Sequence, residues 1–270
     1  MQTYFFILAA LLYLGCAFMP SERRVPISAG IVVGWMLHGG ALLSDMFAPD
    51  ALRVGFAVML SSTLWISVAA YWLENRNFSL DSMRVLFLPV AAVAVVLPSA
   101  FIGNMVALAV YIHWFLAHIA ISILAYSTLT IAAFHAVLMV LQESRLHTRP
   151  GPAAQSGWFG LALDRLPALL TMEKLLFRLI AFGFTLLTLT VLSGVVFSEQ
   201  LFGTPFKWDH KTVFTMLSWL LFGLLLAGRR WQGWRGRTAL SFTLAGFAIL
   251  LLAYVGSRFV LEVVLHRVLT

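Results

Sequence analysis

Imidazole is the side chain in this sequence best suited to binding a metal or passing a proton near neutral pH. The stretch "YIHWFLAHIAISILAYS", residues 111–127, carries two of the seven histidines inside an apolar run. An ionisable group in such a run marks a functional site by default, because hydrocarbon solvates it poorly. His38 in "GWMLHGGALL", His210 in "FKWDHKTVF" and His266 in "LEVVLHRV" join His113 and His118 near one end of their respective apolar segments. His135 and His147 fall elsewhere. His113 and His118 are five positions apart, about 140° around a helix, and so face apart. Trp114, His118 and Ser122 recur every fourth residue and share a face, with Tyr126 continuing the row. This aromatic, imidazole and hydroxyl stripe either lines a pocket or packs against a neighbouring helix.

The elements that carry these residues follow from composition. The 270 residues are 61% hydrophobic and 11% charged, with a mean hydropathy of +0.93. A soluble domain has about 25% charged residues, so this chain lacks the polar surface to coat a globule. Eight stretches reach the length needed to cross a bilayer as helices: 3–20, 27–48, 51–72, 84–100, 111–141, 175–198, 211–228 and 238–265. The fourth holds Pro89 and Pro98, so a kink or break is expected there. None alternates polar and apolar residues as a barrel strand does. The expected fold is all-α, a polytopic integral membrane bundle of about eight helices forming a single domain over 1–270. Residues 142–174 read as a cytoplasmic linker between two halves.

Cations orient the bundle. With the N-terminus outside, Arg23, Arg24, Arg76, Arg84, Arg145, Arg149, Arg165, Lys174, Arg178, Arg229, Arg230, Arg235 and Arg237 lie inside. Arg53, Lys207, Lys211, Arg258 and Arg267 lie outside, as does the C-terminus. Topology thus accounts for the net charge of +7, and no basic stripe interleaved with aromatics points to nucleic acid. The N-terminal run has its arginines after the apolar stretch, the reverse of an export signal, and reads as a retained first helix. The single cysteine, Cys16, excludes an internal disulfide.

His38, His118, His210 and His266 come from four helices at similar depth near the outer face. Haem iron takes one or two axial ligands from separate segments, often neutral imidazoles. Trp35, Trp114, Trp208 and Trp219 suit a flat apolar macrocycle, although each alone also fits an ordinary interfacial belt. Zinc fits less well, since there is no HxxxH, HExxH or cysteine cluster to build a compact cage. Asp209 stands where it could cap the seventh helix. Lys207 and Lys211 add positive charge that would attract a propionate or simply mark a solvated helix start.

Three segments resemble the cytochrome c assembly membrane proteins of the CcsA/CcmC type. "WFLAHIAISILAYSTL" is similar to that family's tryptophan-x3-histidine helix, and "FKWDHKTVFTMLSWLLFGLL" to its tryptophan-rich outer segment. "GWRGRTALSFTLAGFAILLLAYVGSRFVLEVVLH" is similar to its closing loop and last helix. The likeness covers about 30–266 and is nearest to the short HemX-like or YpjD-like inner-membrane branch. It implies non-covalent haem b held near the outer face, with His118 matching a haem-holding histidine and Trp208 and Asp209 the end of the tryptophan platform. His266 falls one position from the second such histidine. "FGTPFKWD" replaces the fuller tryptophan run, His210 stands in a proline position, and Ala227 replaces a histidine before "GWRGR".

The expected function is therefore haem handling in the bacterial cytoplasmic (inner) membrane. His118 and His210 are the first candidates for the iron, and His38, His266, Trp114, Trp208 and Asp209 complete the site. Partners would be haem, the lipid bilayer and other cytochrome c maturation or haem-biosynthesis proteins, with no nucleic acid. No catalysis is expected, as the sequence has no paired intramembrane carboxylates and no nucleophile elbow. The alternative is a transporter or accessory subunit for a small ion or metabolite, which Pro89 and Pro98 would suit. Few acidic residues lie in the spans to coordinate a hard cation.

Overall fold

Long apolar segments in hydrocarbon must satisfy their own backbone, and the helix is the way a single segment does so. The computed structural model describes residues 2–48, 51–77, 81–107, 112–147, 166–202 and 209–260. Among them run α1 (Gln2–Phe18), α2 (Arg24–Met46), α3 (Phe56–Asn77), α4 (Asp81–Ala100), α5 (Ile112–His147), α6 (Leu169–Phe202), α7 (His210–Trp231) and α8 (Gly236–Leu251). The last continues through a π-helical turn, Leu252–Gly256, and a further helical turn, Ser257–Phe259. Among the described residues, seven helices are long and apolar enough to cross a membrane, and α1 contributes a shorter apolar run, Thr3–Phe18. The chain is an all-α, multi-pass membrane protein.

α1 packs against α2 and α4, α3 against α4 and α5, and α7 against α6 and α8. α5 touches α3, α4, α6 and α8, which makes it the central helix. α4 stays helical through Pro89 and Pro98, so the expected break is not there; neighbouring helices in a bundle can hold such a helix together. Residues 142–147 still belong to α5, and 169–174 already belong to α6. The expected linker is correspondingly shorter, and its centre lies outside the described residues.

Residues 47–48 and 51–54, expected at the ends of two helices, are extended instead. They form β1 (Phe47–Ala48) and β2 (Ala51–Val54), which join β3 (Asn104–Ala107) in a small antiparallel sheet of order β1-β2-β3. Phe47 pairs with Leu52, and Ala51 with Ala107. Ala48 precedes Pro49, which disfavours helical backbone, and Gly55 ends β2 before α3 begins. An ion pair of 2.8 Å between Arg53 and Asp45 braces this sheet end.

The opposite end is rich in arginine. There the guanidinium of Arg84 donates to the Met19 carbonyl at 2.7 Å, just beyond α1, where helix carbonyls lack partners and a cation is favoured. Glu173 of α6 receives Arg229 at 2.6 Å and Arg235 at 3.4 Å, and Arg237 reaches Glu143 of α5 at 3.2 Å. Arg229 also lies over the Phe177 ring, 4.5 Å from its centroid. Gly233 and Gly236, at φ +68° and +53°, let the "GWRGR" turn fold back. The Trp234 ring then rests on Gly228, and its amide donates to the Gly228 carbonyl at 3.2 Å.

Buried hydroxyls are satisfied locally. Ser62, Ser122, Thr130, Thr188 and Thr243, for example, each donate to the carbonyl four residues earlier, removing an orphan donor from hydrocarbon. Others join helices: Ser127 donates to the Thr63 carbonyl and Ser67 to the Ser127 carbonyl, linking α3 to α5. Ser218 donates to the Gly246 carbonyl, linking α7 to α8.

Trp35 and Trp65 stack with centroids 5.1 Å apart, and each indole donates to the other's carbonyl at 3.0 Å. Gly39 makes room for this pair, since a Cβ there would stand 2.6 Å from the Trp65 ring. Gly39→Ala should displace Trp65, break the reciprocal bonds and cost about 1–3 kcal/mol. Thermal unfolding in detergent reads the loss; a wild-type midpoint would show that the stack has room to spare.

Candidate functional site

The site is built around the sheet-end half of α5. His118 lies in the second turn of α5, and its ring is half-buried. Its Nδ1 is 2.8 Å from Ser193 Oγ on α6. Ser193 in turn donates to the Thr190 carbonyl at 3.1 Å. A hydroxyl has one proton, and here the carbonyl takes it, so Ser193 accepts from His118. Nδ1 therefore carries the hydrogen and Nε2 carries the lone pair, a tautomer assigned from the network. Gly194 lies alongside, where an added Cβ would stand 3.4 Å from His118 Cε1. Ser122 donates to the His118 carbonyl at 2.7 Å, so the hydroxyl of the predicted stripe serves its own helix.

His38 is placed differently from expectation. It is 0% exposed, with Nε2 2.9 Å from Ser61 Oγ of α3 and Nδ1 3.3 Å from the Tyr13 hydroxyl of α1. The Tyr13 ring meets it edge-on at 5.9 Å. Both nitrogens are committed, and the imidazole acts as the polar pin of the α1, α2 and α3 packing. To ligate iron, His38 would have to release one of these two hydroxyls. Trp35 and Trp219 are likewise packing residues, the first stacked on Trp65 and the second donating to Thr188 Oγ1 at 2.9 Å.

His210 is exposed at the first position of α7. Asp209 caps that helix, as the sequence implied: its Oδ1 accepts from the Thr212 amide at 2.9 Å and the Thr212 hydroxyl at 3.0 Å. Lys211 Nζ lies 5.8 Å from the Tyr254 ring centroid. Burial alone would raise the Asp209 carboxyl, but the two Thr212 hydrogen bonds, Lys211 and His210 outweigh it and hold the carboxyl below the usual range. The cap is therefore at full strength above the ordinary aspartate range and is lost as pH falls through the lowered folded value. Asp209→Ala should cost the start of α7 about 1 kcal/mol. Hydrogen exchange across 210–214, corrected for intrinsic rate, should quicken in the variant at neutral pH and match wild type once the wild-type carboxyl is protonated. Equal exchange at neutral pH would remove the cap from the account.

Trp208 and His266 lie outside the described residues, as does the side chain of Trp114. Ser193, Thr190 and Gly194 escaped the sequence reading. "LSGVV" has the small residues of a close helix contact, but nothing in it points to a histidine 75 positions earlier.

The cytochrome C assembly protein family model matches residues 29–265. The inner membrane protein YpjD of Escherichia coli K12 is 30% identical over 252 residues, covering 90% of this chain and 88% of that protein. The cytochrome c biogenesis protein CcsA of Synechococcus sp. JA-2-3B'a(2-13) is 25% identical over 301 residues, covering 91% and 86%. CcsA of Thermosynechococcus vestitus is 28% identical over 171 residues, covering 53% and 54%. No solved structure matches.

Proposed function

We propose, on the premise that this chain belongs to the cytochrome C assembly protein family, that it handles haem for cytochrome c biogenesis and binds it at the sheet end through His118. The observation that carries this reading is the His118, Ser193 and Thr190 chain of hydrogen bonds, which fixes Nδ1 as the donor and orients the ring. Metal-bound imidazoles are held in just this manner, the second nitrogen donating to an acceptor that fixes tautomer and ring orientation. Haem supplies an iron atom that accepts an imidazole lone pair along its axis. His210 is the proposed second ligand, with His266 its alternative. Trp114 and Trp208 would cover the macrocycle faces, while Asp209 and Lys211 set the charge at its edge.

Sidedness follows from the cations: the arginine end faces the cytoplasm, and the sheet end faces outward. The YpjD relative is named as an inner membrane protein, and we place this chain in the bacterial cytoplasmic (inner) membrane. The bound form is haem b, held without covalent attachment. The chain itself needs to make no bond; cytochrome c maturation or haem-biosynthesis partners would receive or deliver the haem. The test is the absorption spectrum of the purified full-length protein with haem supplied. A Soret band that persists through gel filtration supports the reading, and free haem alone in the later fractions ends it.

A further inference from the structure

The proposed haem site leaves one buried pair unused, on the arginine-end half of the α3 and α5 contact. His135 of α5 is 0% exposed, and Glu74 of α3 lies in the last turn of its helix with a side chain 19% exposed. His135 Nδ1 is 3.0 Å from the Ile131 carbonyl. A carbonyl only accepts, so Nδ1 must donate. Nε2 then turns toward Glu74 Oε2 at 3.6 Å, and neither atom has a hydrogen-bond partner.

With a neutral imidazole and an ionised carboxylate, two lone pairs would face each other away from water, where an unsatisfied polar atom is costly. Something positive must stand between them. The gap is too short for a bridging water, which needs a hydrogen bond on each side. Among the described residues no group of three or more metal-ligating side chains converges, so a metal would lack a cage. A single proton, on either atom, turns the contact into a donor facing an acceptor.

Neighbouring groups do not do this work. On α3, Tyr71 is fully buried, and Arg76 stacks 4.9 Å over the Trp72 ring. On α4, Arg84 is turned to Met19, and Phe87 fills the space between Tyr71 and Phe134. On α6, Glu173 is taken by Arg229 and Arg235, and Arg237 of α8 by Glu143. None of these cations pairs with Glu74.

We infer that Glu74 and His135 together bind one proton within the membrane and that this proton latches α3 to α5. Glu74, the more exposed partner, is its point of exchange with the arginine-end solution. The site stores the proton: toward the sheet end, the hydroxyls of Ser67 and Ser127 direct their protons to backbone carbonyls, where a relay would end. This inference stands whether or not haem binds at His118.

The sign of the pH effect follows. The latch is closed while the proton is held and opens as rising pH removes it. Glu74→Gln places a permanent amide donor opposite Nε2 and should do the proton's work. We expect wild-type full-length protein in nanodiscs to lose thermal stability on the alkaline side and Glu74→Gln to keep it, with equal midpoints at low pH. Nitrogen-15 histidine spectra of the two proteins, each referenced to His135→Gln, should show a ring whose proton environment titrates in wild type and is fixed in Glu74→Gln. An alkaline loss of the same size in both proteins overturns the inference. So does a Glu74→Gln chain that fails to fold at any pH, because a neutral amide should reproduce the protonated pair.

Discussion

His118→Ala protein, purified and supplied with haem, is expected to show no Soret band that survives gel filtration, whereas Ser193→Ala keeps one with affinity lowered about 10- to 100-fold. The two variants separate ligation from orientation. Alanine at 118 removes the nitrogen that carries the lone pair. Alanine at 193 leaves the nitrogen but removes the acceptor that fixes Nδ1 as the donor, so the ring can turn or change tautomer. Ser193→Thr retains a hydroxyl and should recover part of the loss. Wild-type binding in His118→Ala would move the site elsewhere, and wild-type binding in Ser193→Ala would reduce the serine to packing.

The second large effect is expected at the opposite end. Glu173→Ala leaves Arg229 and Arg235 facing each other without their shared carboxylate. Stripping one partner from a buried ion pair costs about 3–5 kcal/mol. The Arg229 side chain is 27% exposed, so water recovers part of that and about 2–3 kcal/mol is expected. Glu143→Ala provides the comparison, because its partner Arg237 is 82% exposed and such pairs are worth about 0–1 kcal/mol. Thermal unfolding should therefore drop by several degrees for Glu173→Ala and barely move for Glu143→Ala. Should both melt alike, burial is not what gives the Glu173 pair its weight.

Much of the fold was legible because hydrocarbon imposes one requirement on every span: length and apolarity alone marked the eight helices, with described ends off by up to about six residues. The exception is instructive. Residues 51–54 are as apolar as the helix after them, and their pairing with 47–48 on one side and with the distant 104–107 on the other makes them a strand. The site was legible in part. His118 stood out as an imidazole in an apolar run, but so did His38, and what divides them is not local. Tyr13 and Ser61 meet His38 from 25 and 23 positions away, and Ser193 meets His118 from 75. His135 looked unremarkable until α3 set a carboxylate against it.

Two staples hold different sets of helices. The sheet joins the connections flanking α2, α3, α4 and α5, while the glutamate and arginine network ties α5, α6, α7 and α8. α5 alone belongs to both. The two staples thus meet on α5, and His118 is mounted on the helix they share.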